Sequence, residues 1–214
     1  MLAAIQVALA RMNTGDEAFR TGNLYKAVTK YKGAIIRIET AQRQFSSTDY
    51  FLCGRDGLPL CFSVDAFILV NRSRIVRTYF GLAAYDEVSR WADAALDIEP
   101  EYYDDPVRRS AWASFARSHL QAAYYCKAIA YEKTNNLDEA VRTMWKAVKC
   151  DPGDGCAFQK YMALQKVREE EKLRQEAIIA MARTKKLREK DDGRRRAQEK
   201  KAKGRGCVIG AGLL

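Results

Sequence analysis

Hydrophobic residues recur at steps of three and four positions in three stretches of the chain, and this is the spacing of one face of an α-helix. The three sets are Leu24, Ala27, Tyr31 and Ala34; Tyr85, Val88, Ala92 and Ala95; and Leu137, Ala140, Met144 and Ala147. Because alanine is small, its place in each set allows a neighbouring helix to approach closely. Each set therefore predicts a helix that packs against a second helix.

Two of these helices begin with nearly the same sequence. TGNLYKAV (Thr21 to Val28) returns as TNNLDEAV (Thr134 to Val141), with five of eight positions identical. The polar residues at the start of each copy break the preceding helix, and Gly22 can adopt the left-handed angles of a helix end. Since the chain before each turn also has helical spacing, each unit is predicted to be a helix, a tight turn and a second helix.

This pattern resembles the tetratricopeptide repeat, a helical hairpin of 34 residues. The third helix–turn–helix unit carries the repeat's signature at Tyr124, Ala128, Tyr131, Ala140, Ala147 and Pro152. The first unit carries it at Gly15, Ala27, Tyr31 and Ala34. An unrelated helical bundle with alanine-rich seams is the alternative. The resemblance implies an all-α fold, a TPR-like alpha-alpha superhelix of three helical hairpins with a long C-terminal capping helix.

The domain boundaries follow from this register. The expected ranges are a helical domain at 1–190, with repeats at about 8–41, 69–102 and 121–154, an insertion at about 42–68, a final helix at about 156–190, and a basic disordered tail at 191–214. Within the insertion, YFLC and LPLCF flank GRDG, so a short β-hairpin and an irregular loop are equally open. A helix from Pro106 to about Lys133 would be unusually long.

Charge is concentrated at the C-terminal end. The 214 residues carry a net charge of +10, and residues 181–214 hold 12 Lys/Arg against 4 Asp/Glu. The tail is interpreted as solvated chain, as a nuclear import signal, or as a weak contact with a polyanion. No apolar run is long enough to span a bilayer and no secretion signal is evident, so we expect no integral membrane insertion and a cytoplasmic or nuclear location.

The sequence offers little material for catalysis or metal binding. It contains one histidine, His119, and six cysteines without a CxxC pair. We therefore expect no catalytic residues, no metal, no cofactor and reduced thiols.

The arrangement of repeats resembles the TPR domain of the large FK506-binding immunophilins and related co-chaperones. This resemblance implies a non-enzymatic protein-protein interaction adaptor that is co-chaperone-like and binds a partner peptide, or a chaperone-type client, in its concave groove. The alternative function is a nucleic-acid-associated protein that works through its basic tail. The family's carboxylate clamp for chaperone tails maps to Met12, Asp16, Arg74, Ala122 and Cys126, which depart from the Lys, Asn and Arg of the motif. Asn71 would match the second-repeat position only if the following loop were three residues longer.

The first helix of each repeat is expected to line the groove. The candidate groove residues are Met12, Asp16, Phe19, Arg20, Arg74, Arg77, Tyr125, Cys126 and Ile129. This mixture suits a peptide with apolar anchors and some acidic side chains. Phe19, Tyr125 and Ile129 have core packing as their alternative role.

Overall fold

A computed structural model describes the backbone of residues 2–45, 49–53, 59–98 and 106–206, and the side chains of residues 3–44, 64–98 and 115–200. The described residues form seven helices and one pair of strands. Their bounds are α1 (Leu2–Arg20), α2 (Leu24–Phe45), β1 (Asp49–Cys53), β2 (Pro59–Ser63), α3 (Val64–Gly81), α4 (Tyr85–Leu96), α5 (Pro106–Lys133), α6 (Leu137–Cys150) and α7 (Gly155–Gly206). The predicted all-α class with three helical hairpins and a long final helix is confirmed, as is the length of α5.

Each hairpin turns through one residue with left-handed backbone angles. These residues are Gly22, Ala83 and Asn135, with φ of 78°, 56° and 59°. Each lies two residues after its helix ends, and the next residue's N–H donates back to a carbonyl of the preceding helix. Asn23 and Asn136 then begin the second helix, because their side chains accept hydrogen bonds from the N–H groups of Lys26 and Glu139.

The cores of unit 1, residues 1–165, lie between successive helices. Ala18, Ala27, Tyr31 and Ile35 pack with Ile75 of α3, which joins the first hairpin to the second. Further clusters join α3 and α4 to α5, and α5 and α6 to the start of α7. The alanines of the three helical sets are completely buried, which is the close approach that their spacing predicts.

The insertion between the first two hairpins contains an antiparallel pair of strands, one of the two forms that the sequence left open. Asp49 lies opposite Ser63, and Cys53 lies opposite Pro59. The GRDG segment between the strands falls outside the described residues. The same holds for the acidic loop at 99–105, where the expected second repeat ends, and for residues 207–214 with Cys207.

Unit 2, residues 166–214, contains the rest of α7. The sequence predicts disorder from residue 191, but α7 continues to Gly206. The residues of this stretch are mostly good helix formers, Gly193 costs a helix only about 1 kcal/mol relative to alanine, and Arg195 pairs with Glu199 one turn later. The described side chains from 166 to 200 are exposed almost throughout.

Candidate functional site

A small cleft lies where the first helices of the first two hairpins meet. This first cleft has a volume of about 130 Å³ and is lined by Asp16, Phe19, Tyr31, Arg74 and Arg77. Asp16 and Phe19 come from α1, Tyr31 from α2, and the two arginines from α3. Helical spacing explains the set, since residues three apart on α1 or on α3 share one face of the helix.

Asp16 is the centre of a polar network in the first cleft. Its Oδ1 accepts a hydrogen bond of 2.8 Å from the Tyr31 hydroxyl, and its Oδ2 lies 3.1 Å from Nη2 of Arg74. The Arg74 guanidinium also lies over the Tyr31 ring, 6.0 Å from its centroid. Burial of Tyr31, together with its bond to Asp16, raises its pKa well above 10, so the hydroxyl stays protonated and continues to donate. Asp16 and Arg74 therefore form an ion pair that neutralises much of the charge of each.

Arg77 is different from Arg74 because it is exposed. Within the part of the chain that the structure describes, its guanidinium forms neither an ion pair nor a hydrogen bond. Arg77 lines the first cleft and also a second, larger one. The two clefts therefore adjoin at this side chain.

The second cleft lies among α3, α5 and the start of α7 and has a volume of about 340 Å³. It is lined by Arg77, Ser118, Gln121, Ala122, Tyr125, Cys126, Asp154 and Cys156. Asp154 is held in place on both sides, because its carboxylate accepts hydrogen bonds from the Gln121 side chain and from the N–H of Cys156 at 2.9 Å. The second of these bonds caps the first turn of α7.

Cys126 and His119, beside the second cleft, remain uncharged at neutral pH. Burial raises the pKa of the Cys126 thiol to about 11, and the nearby charge of Arg77 opposes the shift only in part. Burial also lowers the pKa of His119, and the charges of Arg74 and Arg77 lower it further. The His119 ring packs against Phe115, with ring centroids 5.4 Å apart. A protonated thiol is a poor nucleophile, so the Cys126 side chain is unsuited to covalent chemistry at neutral pH.

Six of the nine residues that the sequence proposes for the groove line these clefts. Asp16, Phe19 and Arg74 line the first cleft, and Tyr125 and Cys126 line the second. Arg77 lines both clefts. Phe19 keeps 40% of its surface exposed, so it is available to a ligand.

The other three lie elsewhere. Met12 is half-buried against the cores that α1 and α2 share with α3. Ile129 is buried in the core of the third hairpin, which is the alternative role considered for it. Arg20 is exposed at the end of α1 and pairs with Glu17.

The sequence did not identify three residues that shape the clefts. The repeat pattern accounts for Tyr31 only as a signature residue, although Tyr31 lines the first cleft and its hydroxyl donates to Asp16. Gln121 and Asp154 are separated by 33 positions, so their hydrogen bond has no local signal. Asp154 does stand two residues before Cys156, at the start of a predicted helix, and this cap position is the one signal that was present.

Among the described residues, the structure shows neither a membrane-spanning helix nor a metal-binding cluster. No helix among them is long and apolar enough to cross a membrane. No group of three or more His, Cys, Asp or Glu side chains among them could hold a metal ion.

Comparisons with known proteins returned structures but no sequence family. No family model matches the chain, and no curated protein matches it. One similar solved structure is described as the first TPR of Spaghetti (RPAP3) bound to the HSP90 peptide SRMEEVD, with 14% identity, a TM-score of 0.48, and coverage of 77% of this chain and 97% of that one. Another is the MamA RS-1 ArsTM double mutant, with 16% identity, a TM-score of 0.22, and coverage of 76% and 97%. In its own repeat pattern and its three helical hairpins, the chain resembles a tetratricopeptide-repeat protein.

Proposed function

We propose that this protein is a non-enzymatic adaptor that binds an extended segment of a partner protein along the two adjoining clefts. The observation that carries the proposal is the position of Arg77, which lines both clefts and makes them one surface on the first helices of the hairpins. We call this surface the groove. A partner segment lying in it would contact all three hairpins.

The groove has the composition of a binding surface. Phe19 at one end and Tyr125 at the other are only partly buried, although both lie on helices with well-packed inner faces. Aromatic side chains contribute large contact areas at interfaces and lose little conformational entropy on binding. Partly exposed aromatic rings and an exposed arginine in one groove therefore support a protein partner.

A co-chaperone role is the finer form of this proposal, and the clamp positions limit it. Asp16 is paired with Arg74, Met12 is half-buried beside the core, and Ala122 and Cys126 bring no charge to the second cleft. Among the described residues of the groove, Arg77 is the cation without an ion-pair partner, so a peptide ending in Glu-Glu-Val-Asp would meet little uncompensated positive charge there. We expect isothermal titration calorimetry with this peptide to show no tight binding, and low-micromolar affinity would contradict that expectation.

Affinity capture followed by mass spectrometry tests the adaptor proposal. The test variant combines Phe19→Ala and Tyr125→Ala, and the matched control is Tyr25→Ala, since Tyr25 on α2 is 77% exposed and lies outside both clefts. Partners should be lost with the test variant and retained with the control. A third sample lacks residues 191–214, and its partners should also be retained, because the groove is intact.

The same experiment distinguishes the adaptor proposal from the alternative function. A nucleic-acid-associated protein that works through its basic tail would lose its partners on removal of residues 191–214 and keep them in the groove variant. That outcome would overturn the adaptor proposal.

A further inference from the structure

The second cleft contains two opposite charges that do not neutralise each other. Arg77 projects from α3, and Asp154 lies at the start of α7, yet both line the same cavity. Among the described residues, neither side chain forms an ion pair, with the other or with any third group. In the first cleft, by contrast, Asp16 and Arg74 form an ion pair at 3.1 Å.

Asp154 is fixed as an acceptor. The Gln121 amide and the Cys156 N–H each donate to one of its carboxylate oxygens, so the side chain is held in one orientation. Both donors are uncharged, so among the described residues no charged side chain neutralises the carboxylate. A fixed carboxylate loses little entropy when it binds a cation, so it favours a ligand's ammonium or guanidinium group.

Arg77 is suited to the opposite task. It is exposed, and it stands where the two clefts meet. An acidic side chain of a ligand would form a charge-assisted hydrogen bond with its planar guanidinium. The apolar surfaces of Phe19 on one side and Tyr125 on the other would cover the stem of that ligand residue.

We infer that the groove selects an internal peptide segment carrying one acidic and one basic side chain, the acidic group bound by Arg77 and the basic group by Asp154. This inference rests on the proposed function and specifies its ligand. A C-terminal acidic end fits less well, because it carries at least two carboxylates and Asp154 would repel the second one. Charge complementarity thus distinguishes an internal, zwitterionic segment from a terminal, purely acidic one.

Selection from random peptide libraries tests the inference without knowledge of the natural partner. The full chain is used to select from one library whose peptides are joined to the carrier at both ends and from another whose peptides end in a free carboxylate. The internal format should yield peptides that share one acidic and one basic position. The consensus peptide is then synthesised with blocked ends, and its affinity is measured by fluorescence anisotropy.

Charge reversal identifies the contacts. Arg77→Glu should weaken binding of the consensus peptide about tenfold, or about 1.4 kcal/mol, and should bind more tightly a peptide whose acidic residue is replaced by lysine. Asp154→Asn should cause a similar loss for the original peptide, while the asparagine still caps α7. Arg20→Glu is the control for a general charge effect, since Arg20 is exposed but lies outside both clefts. It should leave the affinity unchanged, and urea melts check that all variants are folded.

The remaining outcomes distinguish this inference from the adaptor proposal on which it rests. Selected peptides without the charged positions, or an affinity that Arg77→Glu leaves intact, would overturn this inference. If Phe19→Ala still abolished that binding, the adaptor proposal would stand. Enrichment only in the free-carboxylate format would show that a terminal acid is recognised, against the inference. Failure of both libraries to yield any peptide would overturn the inference and the adaptor proposal together.

Discussion

The packing of α1 against α2 depends on the absence of a side chain at Gly15. A Cβ atom at this position would lie 2.6 Å from Cε1 and 2.8 Å from Cδ1 of Tyr31. The ring cannot easily move away, because Tyr31 is 2% exposed and its hydroxyl donates to Asp16. Gly15→Ala should therefore overpack the first hairpin.

The expected magnitude is the difference between two effects. Overpacking a buried site costs about 1–3 kcal/mol of the free energy of unfolding. Replacing glycine by alanine within a helix contributes about 1 kcal/mol in the opposite direction. Gly15→Ala alone should thus range from nearly neutral to a loss of about 2 kcal/mol, and a matched variant is needed to isolate the steric cost.

Gly33 provides that matched variant in the same hairpin. A Cβ atom there would meet Nη1 of Arg11 at 2.6 Å, but this is the end of a long, exposed side chain that can shift. Gly33→Ala should therefore raise the free energy of unfolding by most of the roughly 1 kcal/mol that alanine gains over glycine in a helix. Urea melts of both variants should place Gly15→Ala about 1–3 kcal/mol below Gly33→Ala, with unchanged m-values.

A double-mutant cycle identifies the Tyr31 ring as the cause. In the presence of Tyr31→Leu, the Gly15→Ala substitution should cost less, with a coupling energy of at least about 0.5 kcal/mol. Equal stabilities of the two glycine variants, or strict additivity in the cycle, would show that Gly15 does not lie at this helix crossing.

Three further predictions concern the turns, the pH dependence and the C-terminal helix. Ala83 has a left-handed φ of 56°, so Ala83→Gly should raise the free energy of unfolding by about 1 kcal/mol. Gly22 has a φ of 78° and no atom near an added Cβ, so Gly22→Ala should lower the free energy of unfolding by a similar amount. Urea melts measure both changes, and changes of the opposite sign would contradict this reasoning. Because burial lowers the pKa of His119 below its ordinary value of 6.5, the unfolded chain binds the extra proton first, and stability should fall as pH drops through that value. Melts at about pH 7.5 and about pH 5.5 should show a smaller fall for His119→Gln, and an equal fall would exclude His119 as the cause. The seven basic residues in 191–214 should give a salt-dependent, sequence-independent affinity for duplex DNA. If about six phosphates are neutralised, a plot of the logarithm of the binding constant against the logarithm of the salt concentration should have a slope of about −5. Deletion of residues 191–214 should remove most of this slope. Binding that resists salt or discriminates between sequences would contradict a simple charge effect.

The helical hairpins could be predicted because their causes are local. The spacing of Ala27, Tyr31 and Ala34 marks one face of a helix whatever the rest of the chain does. The turn residues Gly22 and Asn135 lie where two helices must end, and the structure gives both left-handed angles. The turn of the second hairpin shows the limit of this reasoning, since Ala83 adopts the same angles without the residue type that favours them.

Register along a helix also predicted most of the groove, but it did not decide which side chains are free. Asp16 and Arg74 were both placed there from the sequence, and only the packing of α1 against α3 shows that they neutralise each other. The same packing leaves Arg77 without a partner among the described residues. Met12 and Ile129 have the correct spacing, yet neighbouring helices cover them.

The second cleft is a consequence of tertiary structure alone. Gln121 and Asp154 are far apart in sequence, and their hydrogen bond forms because α7 returns to the side of α5. Repeated local spacing therefore determined the fold of this protein. The charge pattern of its groove required the helices to be packed, because pairing between charges depends on distances in space that the order of residues does not contain.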